Sequence, residues 1–368
     1  MHFLYQKWDP RFNSNQNLPV FDKLNDIFQQ LLYISSGDVG QALKWLTELD
    51  KEYNLTGEGD EYGIADFIKD LEDKGYIKYD EEAVEVVLTR KSERELRTKA
   101  LEEIFRNLKK GSSGEHKTSY EGKGRERHPE TKKWQHGDDF NQFDSPGTIL
   151  NALRNNPIDD FRLTEDDLQV YETDHNTSMA TVLMIDLSHS MVLYGEDRIT
   201  PAKKVAMALA ELILNNYSKD SLDIIAFGNE VWPVTIEELP YLKVGPYHTN
   251  TLAGLELARH ILQRKKHANK QILMITDGKP SAMYENGKLY KNSYGLDRKI
   301  VNKVLNEATN CKKEKISITT FMIAQDPYLQ NFVREMTEAN KGRAYFSGLD
   351  NLGGFVLEDY VRNRKKRV

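Results

Sequence analysis

The sequence predicts an α/β protein with a doubly wound, mostly parallel sheet at its C-terminus and a mainly helical domain before it. From about residue 171, apolar runs of strand length alternate with longer amphipathic stretches, an order typical of a parallel sheet covered by helices. The run Met179–Asp186 is rich in aliphatic residues and ends in a carboxylate, as expected of a strand buried on both faces. Upstream of residue 109, apolar side chains recur three and four residues apart, which indicates amphipathic helices.

Composition limits the classes of protein to consider. The chain has 368 residues, enough for two or three domains, and a hydrophobic share of 39%, enough for sizeable cores. Its 51 basic and 57 acidic residues leave a net charge of -6, which implies no general affinity for nucleic acid or anionic membranes. The single cysteine, Cys311, excludes internal disulfides and paired-cysteine zinc sites. With neither a signal-peptide pattern nor an apolar run of membrane-spanning length, we expect a cytoplasmic protein without a membrane anchor.

Residues 1–108 form the first predicted domain, which is helical and then changes to a β-hairpin. The two β-rich segments are Tyr76–Asp80 and Val84–Thr89. Helices followed by a hairpin resemble a winged-helix module, and this resemblance implies a DNA-binding regulator as one alternative. The helix that would enter the groove, Ile64–Lys74, carries four acidic and two basic side chains, whereas phosphate contacts need the opposite sign. We therefore expect a structural or protein-docking role for this domain.

Residues 109–170 are predicted to be a polar linker with a lead-in to the next domain. The segment is rich in Gly, Ser, Lys, Glu and His and poor in aliphatic residues, so it has little to bury. Its histidines His116, His128 and His136 are 12 and 8 residues apart, which matches no metal-binding pattern, and we interpret them as solvated.

Residues 171–368 form the predicted sheet domain. Its strands are expected at 180–186, 221–227, 271–276, 316–323 and 342–346, with a possible edge strand at Val231–Ile236. Its helices are expected at 200–217, 251–264, 297–311, 327–340 and 351–363. Ligands of such sheets bind beyond the carboxyl ends of the strands, and Asp186 and Asp277 both lie there.

Three loops at that edge carry oxygen-bearing side chains. The first reads Asp186-x-Ser188-x-Ser190, the second reads Thr249-Asn250-Thr251, and the third begins with Asp277. Carboxylate and hydroxyl oxygens are the ligands that hard divalent cations such as Mg²⁺ prefer. The sequence therefore predicts a divalent-cation site at this edge of the sheet.

This set of residues, in this order, resembles the metal-ion-dependent adhesion site of von Willebrand factor A (vWA) domains, which have a Rossmann-like fold. The resemblance implies bound Mg²⁺ (or Mn²⁺). The first threonine of the second loop matches the threonine of the family, which leaves Thr251 to cap the following helix. The metal ligands that the resemblance implies are Asp186, Ser188, Ser190, Thr249 and Asp277.

A wider resemblance is to bacterial CoxE-like and ViaA-like proteins, which carry a vWA domain after a helical region. It rests on Gly114-Glu115-His116, Gly122–Glu126, Gly137-Asp138, and Leu88-Thr89 followed by Arg97 and Ala100-Leu101. The chain departs from that pattern at Ser92, where a glycine is usual. The resemblance implies a MoxR-type AAA+ ATPase as partner, in protein-complex remodelling or metal-cofactor insertion.

These features together favour a protein-binding adaptor that captures a partner's Asp or Glu carboxylate through its metal, with His189 and Lys279 at the rim. We expect no enzymatic activity, because the chain has no G-x-S-x-G, H-E-x-x-H or Walker A motif. A metal-dependent hydrolase remains an alternative, since two carboxylates beside a metal can support hydrolysis. The basic run Arg362–Arg367 is interpreted as a solvated tail, so a nucleic-acid partner is not expected.

Overall fold

The structure, a computed structural model, describes most of the chain. The described residues are 19–56, 62–81, 84–111, 131–134, 143–155, 162–171, 178–195, 197–292, 294–323, 326–346, 348 and 352–364. The chain divides into two compact units, one made of residues 1–113 with 178–368 and the other of residues 114–177.

The first unit opens with a helical layer, which consists of helices α1 to α4 and one hairpin. The bounds are α1 Val20–Ile34, α2 Val39–Tyr53, α3 Ile64–Asp73, β1 Ile77–Asp80, β2 Glu85–Leu88 and α4 Arg90–Gly111. Asp38 fixes the start of α2, because its carboxylate accepts a hydrogen bond from the Gln41 N–H at 2.8 Å. Strands β1 and β2 pair antiparallel with Ile77 opposite Leu88, which confirms the predicted hairpin.

The second unit contains β3 Thr131–Lys133, α5 Ser145–Asn155 and β4 Gln169–Tyr171. β3 and β4 pair antiparallel. The buried Asp167 carboxylate joins the end of α5 to the 3-10 turn before β4, since it accepts hydrogen bonds from Asn155 Nδ2 at 2.6 Å and Thr164 Oγ1 at 2.7 Å. Part of the segment interpreted as a linker thus has secondary structure. The predicted domain boundaries stay predictions, and the three histidines of this segment lie outside the described residues.

The rest of the first unit is the sheet domain. Its strands are β5 Met179–Asp186, β6 Ser221–Phe227, β7 Val231–Val234, β8 Asn269–Thr276, β9 Ala282–Glu285, β10 Lys288–Lys291, β11 Ile316–Met322 and β12 Arg343–Phe346. Its helices are α6 Ile199–Asn216, α7 Thr251–Gln263, α8 Arg298–Lys313, α9 Pro327–Asn340 and α10 Leu352–Arg364. A 3-10 turn at His189–Gly195 follows β5.

The main sheet has six strands in the order β12-β11-β8-β5-β6-β7. All neighbouring strands run parallel except β7, which pairs antiparallel with β6 at the edge. The edge strand expected at Val231–Ile236 is therefore present. Strand β5 lies at the centre, buried along its whole length. The predicted doubly wound, mostly parallel sheet is confirmed.

Alternate side chains of β5 point to two different cores, as the pleat requires. Leu183 and Ile185 join a core that α6, α10 and the helical layer complete, whereas Val182 and Met184 join a core formed with α7, α8 and α9. The helical layer therefore shares a continuous apolar core with one face of the sheet domain. Helix α4 packs along α6, the helix that leads away from the end of β5.

A buried lysine lies at this contact between α6 and the helical layer. The Lys203 side chain is fully buried, and its Nζ donates to the Tyr33 carbonyl oxygen and to Ser36 Oγ, each at 3.0 Å. Tyr33 is in the last turn of α1, where backbone carbonyls favour a cation. Burial lowers the pKa of Lys203 to about 8; the charge of Asp197 opposes this shift and that of Lys243 adds to it.

We expect Lys203 to make the protein more stable as pH rises from about 8 to about 10. The unfolded chain still binds a proton on this lysine in that range, since an unperturbed lysine has a pKa near 10.4, whereas the folded chain has released it. The free energy of unfolding should gain at most about 1.4 kcal/mol per pH unit from this group. Urea unfolding at several pH values would measure the slope, which Lys203→Met should reduce.

Lys204→Met is the matched control, because Lys204 is the next residue on α6 and its ammonium forms a partly exposed ion pair with Glu103. This variant should keep the slope of the wild-type protein. If Lys203→Met and the wild-type protein gave equal slopes between about pH 8 and pH 9.5, the proposed proton release from Lys203 would be wrong.

Candidate metal-binding site

The predicted ligands lie on three loops at one end of the main sheet. Strand β5 ends at Asp186, and its parallel neighbour β8 ends one residue before Asp277, with Ile185 opposite Ile275. The carboxyl ends of the two strands therefore meet. Both carboxylates are buried, with Asp186 fully so.

At least one hydrogen bond joins each pair of the three loops, so the loops brace one another. These bonds are Thr276 Oγ1 to Asp186 Oδ2 at 2.6 Å, His189 N–H to the Tyr247 carbonyl oxygen at 3.0 Å, and Thr249 N–H to Ser281 Oγ at 2.9 Å. The ligand positions are consequently fixed by backbone and side-chain contacts that need no metal.

The Asp186 carboxylate is held from both sides. Its Oδ1 accepts the Ser188 N–H at 2.9 Å, and its Oδ2 accepts the Thr276 hydroxyl. Burial raises the pKa of Asp186 above its usual value, and the charge of Asp277 raises it further, while the hydrogen bonds from Ser188 and Thr276 oppose the shift. Two carboxylates thus repel each other in a site with little water, and a cation between them would favour their charged forms.

The hydroxyl groups of the first loop lie side by side. Ser188 Oγ and Ser190 Oγ are 3.0 Å apart; Ser188 is buried and Ser190 is partly exposed. His189 lies between them in sequence and is exposed. Thr249 of the second loop is also buried.

Thr251 does not cap the helix that follows the second loop. Helix α7 begins at Thr251, and its N-cap is Asn250, whose side-chain oxygen accepts a hydrogen bond from the Ala253 N–H at 3.1 Å. The expectation about Thr251 was wrong, because the asparagine before it has the better position for the first turn. Capping by Asn250 also fixes the backbone beside Thr249.

The turn after Asp277 depends on Gly278, which has a φ of +91°. A Cβ atom there would lie 3.1 Å from Met322 Cε and 3.3 Å from Val333 Cγ2. Only glycine combines this backbone conformation with the tight packing. The Lys279 N–H points back to Asp277 Oδ1 at 3.3 Å, so the turn orients the carboxylate.

Basic side chains surround the site. His189 is exposed and Lys279 is partly exposed, as expected for rim residues. His248 directly precedes Thr249 and belongs to the same rim, although it was not among the rim residues predicted from the sequence. Burial lowers the pKa of His248, and the positive charges of Lys291 and Lys279 lower it further, which places both ammonium groups near this ring.

Sequence reasoning also missed the roles of Thr276 and Ser281, which brace the loops. The position of Thr276 was the available signal, because the last residue of β8 must lie beside the last residue of the neighbouring β5. No pattern pointed to Ser281, since its contact with Thr249 joins residues 32 positions apart.

The residues at this end of the sheet fit a hard divalent cation. Two carboxylates and three hydroxyls supply only oxygen, the donor that Mg²⁺ and Mn²⁺ favour. Within the described ranges, no three His, Cys, Asp or Glu side chains gather as a metal cluster, so a metal here would depend on the hydroxyls. The residues that would hold it are Asp186, Ser188, Ser190, Thr249 and Asp277.

Comparison with known families agrees with the fold. Residues 179–361 match the family model described as Rv0959-like protein, vWA domain. Residues 126–173 match a second model, Rv0959-like protein, third domain. The first match and the six-stranded sheet together show that the chain is a vWA domain protein.

Within that class, the chain is similar to the uncharacterized proteins Rv0959 of Mycobacterium tuberculosis and Mb0984 of Mycobacterium bovis. Each is 32% identical over 288 residues, which cover 76% of this chain and 42% of the relative. The chain therefore spans less than half the length of these curated relatives.

Part of the chain is similar to solved vWA structures at low sequence identity. The vWF domain of the type V pili tip protein Mfa5 from Porphyromonas gingivalis is 14% identical, with a TM-score of 0.44 over 53% of this chain and 98% of that one. The SpRpn10 VWA domain is 15% identical, with a TM-score of 0.37 over 48% and 93%. In the part of the chain that the structure describes, no helix is long and apolar enough to cross a membrane.

Proposed function

We propose that this protein is a divalent-metal-dependent adaptor whose vWA domain captures an Asp or Glu carboxylate of a partner protein. One observation carries the proposal: two buried, mutually repelling carboxylates, Asp186 and Asp277, share the end of the sheet with three hydroxyl side chains. Two buried, repelling carboxylates cost free energy when no cation is bound. Such a cost is expected at a site whose function is to bind a cation.

Some side chains of the site would supply negative charge to the metal, and others would orient the metal ligands. Asp186 supplies negative charge, and the Ser188 N–H and the Thr276 hydroxyl fix the direction of its oxygens. The serine and threonine ligands are neutral. A bound Mg²⁺ or Mn²⁺ with so few anionic ligands would remain electrophilic and accept an external carboxylate.

The rim favours acidic partners. His189 and Lys279 are the partner-binding residues that we proposed from the sequence, and Lys291 adds a further positive charge. Positive charge around a binding site raises the rate at which acidic partners associate and disfavours basic ones.

The proposal includes a MoxR-type AAA+ ATPase as the partner, in protein-complex remodelling or metal-cofactor insertion, because the chain resembles CoxE-like and ViaA-like proteins. Two of the matching residues have structural contacts: Thr89 Oγ1 donates to the Gly75 carbonyl oxygen at 2.7 Å, and Arg97 pairs with Glu211 on α6. The motifs at 114–116, 122–126 and 137–138 lie outside the described residues.

The rival functions lack a supporting observation. On α3, the helix that would enter a DNA groove, the exposed side chains include Asp66, Glu72 and Asp73, which phosphate would repel. For hydrolysis, the sequence offers no recognised catalytic motif, since it has no G-x-S-x-G, H-E-x-x-H or Walker A pattern. We therefore propose binding without catalysis.

Capture of a partner from cell lysate tests the function directly. The immobilised full-length protein should retain specific proteins in Mg²⁺ and lose them in EDTA, and Asp186→Ala should retain none of them. Glu230→Gln is the matched control, because it removes an exposed carboxylate just beyond the end of β6, beside the site, and should behave as wild type. Retention of the same proteins under all conditions would rule out metal-dependent capture.

A further inference from the structure

A second hairpin lies beside the candidate site. Strands β9 and β10 pair antiparallel through the turn Asn286-Gly287, in which both residues have positive φ, 48° and 74°. Asparagine followed by glycine is the favoured sequence for this tight turn, because its backbone twist matches that of the strands. The hairpin is therefore a rigid projection rather than a loose loop.

The base of this hairpin is attached to Thr249, one of the proposed ligands. The N–H groups of Ser281 and Ala282 both donate to the Thr249 carbonyl oxygen, at 2.9 and 3.1 Å. The Asn292 N–H, just past β10, donates to the Ser281 carbonyl oxygen at 2.8 Å. Both ends of the hairpin thus start at the edge of the candidate site.

The two faces of the hairpin differ. One face contacts the rest of the domain, and we call it the committed face. On this face Met283 enters the core, the Tyr290 hydroxyl donates to Asp297, and Glu285 pairs with Lys299. The other face carries Tyr284, Leu289 and Lys291, of which Tyr284 is 46% exposed and Lys291 is exposed. We call these three residues the hairpin platform.

The charge of the platform matches that of the rim. Lys291 is directly opposite Ala282 in the ladder, and the Ala282 N–H donates to the Thr249 carbonyl oxygen, so Lys291 lies close to the site. The acidic groups of the hairpin region, Glu285 and Asp297, are occupied by contacts on the committed face. The platform therefore offers a positive charge next to the site and apolar surface further out.

We propose that the hairpin platform binds the part of the partner that flanks the captured carboxylate, and that this part is an extended segment with a second acidic residue followed by an apolar one. The inference rests on the proposed function. Lys291 would pair with the second carboxylate, while Tyr284 and Leu289 would contact the apolar side chain.

The distances from the platform residues to the site determine how far apart the recognised residues of the partner segment should be. Residues directly opposite each other in a ladder are about 5 Å apart, so Lys291 lies roughly 10 Å from the Thr249 backbone. Extended chain advances about 3.3 Å per residue, which places the second acidic residue about three positions from the first. Tyr284 and Leu289 lie two residues further along the ladder, which places the apolar residue about two positions later.

Two biotinylated peptides on a biosensor surface test this inference with the full-length protein in Mg²⁺. The first has one aspartate, a glutamate three positions later and a leucine two positions after that, in a Gly/Ser background. The second keeps only the aspartate. We expect about fivefold tighter binding of the first peptide, since an exposed ion pair and a small apolar contact together supply about 1 kcal/mol.

Variants show whether the platform causes the preference. Lys291→Gln combined with Tyr284→Ser should reduce this preference to less than twofold, because the double variant weakens binding of the first peptide more than binding of the second. Lys288→Gln is the control, because it removes an exposed lysine from the committed face of the same hairpin and should preserve the preference.

Each other outcome has a distinct meaning. Equal, Mg²⁺-dependent binding of both peptides overturns the platform and leaves the proposed function standing. A preference that survives in the double variant also overturns the platform. Absence of Mg²⁺-dependent binding for both peptides overturns the inference and counts against the proposed function as well.

Discussion

Asp186→Ala is expected to weaken Mg²⁺ binding by about 100-fold or more. Loss of an outer contact to a metal ligand already costs about 10- to 100-fold in affinity, and Asp186 is one of only two anionic groups among the proposed ligands. The corresponding free energy is about 2.7 kcal/mol. Calorimetric titration of the full-length protein with MgCl₂, repeated with MnCl₂, would measure the change.

The same substitution should not destabilise the protein without metal. Burial and the repulsion from Asp277 disfavour the charged form of Asp186, so its removal relieves a cost that the hydrogen bonds only partly offset. Wild type should gain about 1.4 kcal/mol of stability at an Mg²⁺ concentration ten times the dissociation constant, and Asp186→Ala should gain none. Thermal unfolding with and without Mg²⁺ would separate loss of binding from misfolding.

Two further variants sharpen this prediction. Asp186→Asn keeps an acceptor for the Ser188 N–H but loses the charge, so it should bind Mg²⁺ almost as weakly as the alanine variant. Glu230→Gln, which changes an exposed carboxylate near the same end of the sheet, should titrate as wild type. Unchanged affinity in both Asp186 variants would contradict the assignment of this aspartate as a metal ligand.

The sheet domain was predictable because the central strands of its main sheet are buried on both faces. A buried parallel strand needs a continuous apolar run, and each run has clear ends, as in β5 and β8. The ends of the runs then placed Asp186 and Asp277 at one edge of the sheet, with no further information. The edge strand expected at Val231–Ile236 is present as β7, but its antiparallel pairing with β6 was not predicted.

The β9–β10 hairpin was missed, although its signal was present. Asn286-Gly287 between short β-type segments is a strong indication of a tight hairpin turn. No element was predicted between the strand ending at 276 and the helix starting at 297. The predicted rim lacked Lys291 for the same reason. Lys291 lies on β10, and the hairpin places it near the site.

The contact between the helical layer and α6 was not predictable by pattern. It joins Lys203 to Tyr33 and Ser36, residues about 170 positions away, and it buries a type of side chain that is usually exposed. Periodicity identifies the apolar face of a helix but not the element that covers it. The glutamate at 211, which interrupts the apolar run of α6, is explained only by Arg97, Thr98 and Asn215 around it.

Asp359→Ala is expected to destabilise the protein by about 3 kcal/mol. The Asp359 carboxylate is buried on α10 and joins this last helix to strands β11 and β12. It accepts Arg343 Nε at 2.6 Å, the Tyr345 hydroxyl at 2.9 Å and Thr319 Oγ1 at 3.3 Å. Removing one partner of a buried ion pair costs about 3–5 kcal/mol, and the lower end applies because the Arg343 side chain is 31% exposed and can reach water. Urea unfolding would measure the difference.

Glu358→Ala is the control for this substitution. Glu358 is the neighbouring residue on α10 and forms an exposed pair with Arg362, so its loss should cost at most about 1 kcal/mol. Tyr345 supplies a second measurement: burial raises its pKa to about 12, with a further contribution from Asp359, and the pKa should fall in Asp359→Ala when tyrosinate absorbance is followed. If both alanine variants lost the same small amount of stability, α10 would be held by its apolar contacts with α6 and α4 alone.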